Sequence, residues 1–286
     1  MEYQVPSPMP ALQALKQLYP QSSRRTLQQW IKGGRFTLDS RPLEKDNEIL
    51  ETGQTLRAIE AFRPRSEGPL NILYEDKSLI FIDKPAGLLS VPLDEPSGKP
   101  NALSLLRARA KSDQIFAVHR LDRQSSGVLV FAKGLDAMEK LKELFELHDL
   151  HREYFAIVEG RIPEEEGHWK CNLKELPSYD VIVANSDEGK EAITHFQVLR
   201  RSAKYSYLSC LLETGRKHQI RVHCQQAGYP ILGDKRYGSE ENPIRRLALH
   251  ARKLAFIHPF TGQLLSFIAP LPFSFKKLGA TDESLN

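Results

Sequence analysis

The sequence predicts an α+β fold, a mixed and largely antiparallel sheet domain preceded by a small α/β domain. Three observations carry that expectation. Six strand-like apolar runs, SLIFIDKPAG, SGVLVFAK, REYFAIVEG, AITHFQVL, YSYLSCLLETG and LAFIHP, all lie beyond residue 70. Only two helical patterns fall between them, so strands and helices do not alternate as a parallel βαβ sheet requires. Residues 61 to 70, AFRPRSEGPL, are rich in proline and charge and read as a connection. The expected organisation is a small domain at 1–62, a linker at 63–70 and a main domain at 71–286.

Within the small domain, Leu12, Leu15 and Leu18 recur at helical spacing and Pro20 closes that helix. A second helix begins after a cap at Ser22 or Ser23, carries Leu27, Trp30 and Ile31 on one face and stops at Gly33 and Gly34. Its polar face presents Arg24, Arg25, Gln28 and Lys32, with Arg35 just beyond its end. A basic helix face is most often simply solvated. Here no acid occurs from residue 11 to residue 38, which points to an anionic partner. The acids follow, at Asp39, Glu44, Asp46, Glu48, Glu51 and Glu60, in a stretch that reads as short strands and turns. In the main domain a helix is expected at 135 to 150, with Met138, Leu141 and Phe145 in register. Another runs from about Lys217 to Ala227 and closes with Gly228 and Pro230.

Charge is nearly balanced, 40 Lys and Arg against 36 Asp and Glu, and the net +4 is a weak hint of an acidic partner. The three cysteines, Cys171, Cys210 and Cys224, are odd in number and widely spaced, which fits a reducing compartment better than a disulfide framework. No apolar run approaches the roughly 20 residues of a membrane span. The opening MEYQVPSPMP lacks the basic and then apolar order of a signal peptide. A cytoplasmic protein without membrane contact is expected.

The chemistry concentrates in HRLDRQSSG, His119 to Gly127. Leu121 separates Arg120 from Asp122, and Gly127 stands where a kinase catalytic loop needs asparagine, so that motif fails. Neither Ser125 nor Ser126 has a glycine two residues upstream, which removes the serine-hydrolase elbow. His218, His223 and Cys224 could suggest a metal site, but residues 218 and 223 are about 140 degrees apart on a helix. Those histidines are read as hydrogen-bonding or packing residues. There is no dinucleotide fingerprint. What survives is Asp122 between two arginines. Positive neighbours keep a carboxylate ionised, and an ionised carboxylate serves as nucleophile, general base or electrostatic stabiliser. An Arg-Asp pair that merely fixes a turn explains the same residues.

HRLDRQSSGVLVFAK closely resembles the signature H-R-L-D-x-x-T-S-G-x-x-x-x-A of the RluA-type pseudouridine synthases, with Ser125 for the usual threonine. Four further blocks resemble that family in the same order: IDKPAGLLSVP at 82 to 92, REYFAIVEG at 152 to 160, ETGRKHQIRVHCQQAGYPILGDKRYG at 213 to 238 and LALHARKLAFIHPFTG at 247 to 262. Residues 11 to 60 look like the small RNA-binding domain named after a small-subunit ribosomal protein. Departures are Asp39-Ser40 in place of an Asn-Gly turn, His148 where arginine is common and Lys217 in place of threonine.

The resemblance implies a pseudouridine synthase fold and isomerisation of uridine to pseudouridine in RNA, in a site with no cofactor and no metal. It implies that Asp122 is the catalytic aspartate, that Tyr154 stacks on the uracil or assists proton movement, and that Arg221 holds the aspartate charged. Arg120 is expected to fill the gap left by a displaced base or to hold a neighbouring phosphate, since extracting a base costs a few kcal/mol. Lys84, Gly87, Ser126, Gly127 and Gly215 are expected to shape turns, and Leu121, Ile220 and residues 128 to 131 to be core. Ribosomal RNA of the large subunit is the first expected partner and transfer RNA the second, bound by a monomer. The alternatives are a transfer RNA pseudouridine synthase and a non-catalytic RNA-binding or ribosome-assembly protein.

Overall fold

The computed structural model describes residues 2–19, 24, 27–28, 31, 36–39, 41–43, 45–58, 70–92, 100–185 and 188–281. The chain divides into two compact units, Met1–Arg63 and Pro64–Asn286. Among the described residues, no helix is long and apolar enough to cross a membrane.

In the first unit, β1 (Glu2–Gln4), β3 (Phe36–Leu38), β4 (Arg41–Pro42) and β6 (Thr55–Ala58) form a sheet in the order β1-β6-β3-β4. A two-stranded ladder pairs β2 (Met9–Pro10) with β5 (Ile49–Leu50), and α1 (Ala11–Leu18) follows β2 directly. Arg24, Leu27, Gln28 and Ile31 are helical. Leu27 and Ile31, four residues apart on one face, join Leu15, Phe36, Leu38, Leu50 and Leu56 in one buried core.

The second unit is built on one eleven-stranded sheet. Its main path runs β13-β12-β14-β15-β11-β16-β10-β8-β7, with β17 paired to β16 and β9 to β10. The strands are β7 (Asn71–Glu75), β8 (Leu79–Lys84), β9 (Ile115–Ala117), β10 (Ser126–Lys133), β11 (His151–Glu159), β12 (Glu166–Glu175), β13 (Val181–Ala184), β14 (Lys190–Arg201), β15 (Tyr205–Leu212), β16 (Leu249–Ile257) and β17 (Leu264–Ile268). All pairs are antiparallel except β10 with β16, which meet in parallel at Ser126↔His250 and Gly127↔Ala251. The helices are α2 (Ala102–Ala110), α3 (Leu135–Glu146), α4 (Gln219–Gln226) and α5 (Phe273–Lys276). The α+β class with a mixed, largely antiparallel sheet is therefore the observed one.

The run 126 to 132 does not alternate because β10 is covered on both faces. Leu129 and Phe131 pack with Leu106, Ile80 and Ile82 on one side. On the other, Phe81 lies against Phe256 and Phe267, with ring centroids 5.6 and 4.3 Å apart. The helix expected at 135 to 150 ends at Glu146, because Leu147 and His148 form a turn that feeds β11. The helix expected from Lys217 starts at Gln219, since His218 takes a left-handed backbone with φ 55°. Of the expected linker only Leu70 lies within the described residues, and it is buried in the core of the second unit.

Candidate active site

Asp122 stands in the loop between β9 and β10, one residue after buried Leu121. That loop is fastened to the segment after β8 by its own backbone. The Gly87 N–H donates to the Arg123 carbonyl at 2.7 Å, and the Arg123 Nε donates to the Gly87 carbonyl at 3.1 Å. Gly87 has φ 90°, which favours glycine. Ser90 Oγ donates to the Leu121 carbonyl at 2.9 Å and accepts from its N–H at 3.0 Å. Beneath the two segments, fully buried Lys84 donates to the carbonyls of Ser125 (2.6 Å), Leu88 (2.8 Å) and Pro85 (3.0 Å). Burial pushes its ammonium pKa down to about 7, with Asp122 opposing that shift. The block at 82 to 92 thus fixes the backbone on both sides of Asp122.

The cation that holds Asp122 is not one of its sequence neighbours. Arg120 is exposed, and Arg123 is spent on Gly87. Arg221, from α4, donates from Nη1 to Asp122 Oδ2 at 2.9 Å. Its other edge grips Asp234, Nε to Oδ2 at 2.7 Å and Nη2 to Oδ1 at 2.8 Å. A bidentate pair of this kind fixes orientation as well as charge. Tyr237 closes the guanidinium face, 4.8 Å from ring centroid to Cζ. Burial alone lowers the Arg221 pKa, but the two aspartates outweigh it and hold it above its ordinary value. A short 3-10 turn, Lys235–Tyr237, supplies Asp234 as its N-cap and Tyr237 as its last residue.

Gln219 sets the start of α4. Its Oε1 accepts from Thr214 Oγ1 (2.7 Å) and the Arg216 N–H (2.9 Å), while Nε2 donates to the Ile193 carbonyl and Thr194 Oγ1, both at 2.9 Å. His223 is also committed, to Thr194 Oγ1 at 2.9 Å and Cys171 Sγ at 3.2 Å. These bonds moor the helix to β14 and β12, and so set where Arg221 can reach.

Asp122, Tyr154 and Arg221 line one cavity of about 300 Å³, together with Arg120, Ser125, Glu175, Leu212, Leu249 and residues 215 to 220. Tyr154 enters from β11 beside an irregularity in the β11–β16 register between Glu153 and Tyr154. Its phenol is pushed up to about 12 by burial, against the pull of Arg152, so its proton stays on at neutral pH. Arg120, Arg216, Lys217 and Arg221 set four cations around a cavity with two carboxylates, Asp122 and Glu175, and Lys217 is paired with Glu175.

In the first unit, Arg24 is exposed, and Gln28 Nε2 donates to Asp46 Oδ2 at 2.6 Å. One of the acids that follow the basic helix is therefore folded back onto it. Arg25, Lys32 and Arg35 lie outside the described residues. Lys84, expected to shape turns, does so through the carbonyls of Pro85, Leu88 and Ser125, whereas reasoning from the sequence missed Asp234 and Tyr237 as the supports of Arg221, and His218 beside Asp122. Asp234 and Tyr237 belong to the quoted stretch GDKRYG, but nothing in their spacing says that they meet Arg221.

A cavity lined by more cations than carboxylates, with an aspartate gripped by a buried arginine, is suited to an anionic ligand. Comparison with known proteins makes the class specific. Residues 78–226 match the family model described as RNA pseudouridylate synthase. Ribosomal large subunit pseudouridine synthase D of Xanthomonas campestris pv. campestris is 34% identical over 290 residues, covering 92% of this chain and 86% of that protein. The protein of the same name from Haemophilus influenzae is 33% identical, covering 93% and 89%. The structure of human RNA pseudouridylate synthase domain containing 4 aligns with TM-score 0.60 and 25% identity over 73% of this chain and 91% of that one. The chain belongs to the RNA pseudouridylate synthase family, of the RluA type, and is an isomerase that turns uridine in RNA into pseudouridine.

Proposed function

We propose that this enzyme modifies uridines of large-subunit ribosomal RNA in the cytoplasm, as a monomer, with Asp122 as its catalytic carboxylate. The observation that carries the proposal is the Arg221 Nη1 to Asp122 Oδ2 bond inside the cavity that Tyr154 also lines. The RNA is read from relatives named for the large ribosomal subunit.

The reaction breaks the ribose C1′ bond to uracil N1 and joins C1′ to C5. The proton on C5 is lost and N1 gains one. Attack of Asp122 on C1′ and removal of a ribose proton by Asp122 both need an ionised oxygen at the sugar. Arg221 holds Oδ2 and leaves Oδ1 the freer oxygen to meet the ribose, with two lone pairs of which one can accept a hydrogen bond. Tyr154, a neutral phenol that lines the same cavity, offers a ring face to the uracil. Arg120, exposed at the rim, is placed to fill the space of an extruded base or to hold a phosphate. Arg24, Arg25, Gln28, Lys32 and Arg35 of residues 1–62 form the proposed second RNA contact.

Release of tritium from C5 of uridine tests the assignment, with ribosomal RNA from cells lacking the enzyme and transfer RNA as separate substrates. Release from ribosomal RNA by wild type but not by Asp122→Asn is the expected result. Release from transfer RNA alone moves the target, release from neither refutes both RNAs as substrates, and full release by Asp122→Asn removes Asp122 from the chemistry. Two RNA-binding units on one polypeptide raise the effective concentration of target at the cavity. Deleting residues 1–62 is therefore expected to weaken RNA binding more than it slows the chemical step at saturating RNA, measured by filter binding and single-turnover release.

A further inference from the structure

His218 is the N-cap of α4, yet it makes no side-chain cap bond and holds a left-handed φ of 55°. Ser, Thr, Asp or Asn usually fills such a position and caps the helix. A strained backbone that gives up its cap calls for another use of the side chain. The imidazole is 8% exposed and sits between two partners. Nε2 lies 3.7 Å from Asp122 Oδ1, and Nδ1 lies 2.7 Å from the Tyr237 hydroxyl.

The ring tautomer follows from Tyr237. Its oxygen already accepts the Val181 N–H at 3.2 Å, and its ring is buried. Among the described residues, His218 Nδ1 is the acceptor left for the phenol proton. The opposite tautomer strands that proton in a buried place and turns the lone pair of Nε2 toward a carboxylate, and both effects are unfavourable. The N–H of His218 therefore sits on Nε2 and faces Asp122. Burial pushes the imidazole pKa down to about 4, with Asp122 opposing and Arg221, Lys217 and Arg236 reinforcing the fall. The ring is a neutral donor at neutral pH.

We propose that His218 is a positioning residue of the isomerisation: its Nε2–H, oriented by Tyr237, holds Oδ1 of Asp122 once RNA fills the cavity, opposite the Arg221 grip on Oδ2. The inference rests on Asp122 being the catalytic carboxylate. At 3.7 Å the contact is longer than a hydrogen bond, and bonds of this kind tighten when substrate closes a site. Arg221 fixes one oxygen of the carboxylate but leaves it free to swing about that contact. His218 removes that freedom, so that the reactive oxygen meets the ribose in one orientation.

Two measurements test this. The first is the ¹⁵N spectrum of the full-length, histidine-labelled protein, which reads the tautomer without any RNA. A proton on Nε2 of His218, moving to a mixture in Tyr237→Phe, is expected, and a proton on Nδ1 in wild type overturns the inference. The second is single-turnover tritium release from ribosomal RNA of cells lacking the enzyme. Loss of a hydrogen bond to a charged group slows His218→Leu by about ten- to a hundredfold. His218→Gln, which keeps an N–H at the same reach, recovers most of the rate, and RNA affinity stays within about twofold of wild type. A His218→Leu rate within about threefold of wild type overturns the inference, as does a Gln variant as slow as the Leu variant at equal melting temperature. Failure of wild type on ribosomal RNA is instead a failure of the proposed target, and full activity of Asp122→Asn a failure of the assignment of Asp122.

Discussion

Replacing Asp234 with alanine isolates the support of Arg221. Asp234 is 3% exposed and Arg221 9%, so neither charge has water to fall back on. The substitution strips acceptors from Nε and Nη2 of Arg221, which now donate at 2.7 and 2.8 Å. A hydrogen bond to a charged group contributes about 1.5–3 kcal/mol, and breaking a buried pair from one side costs about 3–5 kcal/mol. Asp122 remains on Nη1 and relieves part of the uncompensated charge, so the lower end, about 3 kcal/mol, is the expected loss. Against a typical total of about 5–15 kcal/mol the protein still folds. Urea denaturation is the assay, with a lower midpoint and an unchanged slope as the signature. Arg221→Met and the double variant complete a cycle. Because the two residues act on each other, the double variant recovers about 2 kcal/mol or more relative to the sum of the singles. A single loss below about 1 kcal/mol, the worth of an exposed pair, or strict additivity refutes the reasoning.

Gly127 and the buried histidines give two further tests. A Cβ at Gly127, where φ is 114°, would lie 2.7 Å from both the carbonyl carbon and the amide nitrogen of Ala251; Gly127→Ala is expected to cost about 2–4 kcal/mol in urea and to abolish turnover by prising β16 from β10. Gly87→Ala, with φ 90° and open space around it, carries only the backbone strain of about 1–2 kcal/mol, and equal losses in the two variants would contradict the clash. His119, His218 and His223 have pKa values pushed down by burial to about 3, 4 and 4. Below about pH 6.5 the unfolded protein binds protons that the folded one refuses, so stability is fully present above that pH and falls as pH drops toward about 4. Asp83, raised from 3.8 to about 6 by burial, opposes this between those two values. Each histidine costs about 2 kcal/mol by about pH 5; urea midpoints from about pH 7.5 to 5 should fall, less steeply in His223→Gln, and a flat profile would count against the buried neutral state.

Legibility in the sequence varies with how local the signal is. Residues 126 to 133 are legible as a strand with the observed bounds, because an uninterrupted apolar run marks a strand covered on both faces. By contrast β12 is not legible, since its residues from Glu166 to Cys171 alternate exposed and half-buried and expose charges on the outer face; Trp169 is covered by Phe196 on β14, stacked on it at 4.3 Å, and by His223 at 6.4 Å. Helix α2 is missed in the same way. Its start is marked by the reciprocal bonds of Asn101 and Ser104, but with only Ala102 and Leu106 buried it has no long apolar stripe to read.

By itself the sequence determined the fold class and the run of ordered motifs, because these follow from residue type, short spacing and order along the polypeptide; it is the resemblance of those motifs to a family that singles out Asp122, Tyr154 and Arg221. Only the tertiary structure decided which cation holds Asp122. Of the two arginines near it in sequence, Arg123 is bonded to Gly87 and Arg120 is exposed in the cavity lining, and the one that binds it comes from 99 positions away. A helix moored to β14 by Gln219 brings a distant guanidinium within hydrogen-bond reach. The tertiary structure likewise set the neutral state of His218, since burial and a single phenol proton, neither visible in a string of residues, decide its charge and its tautomer.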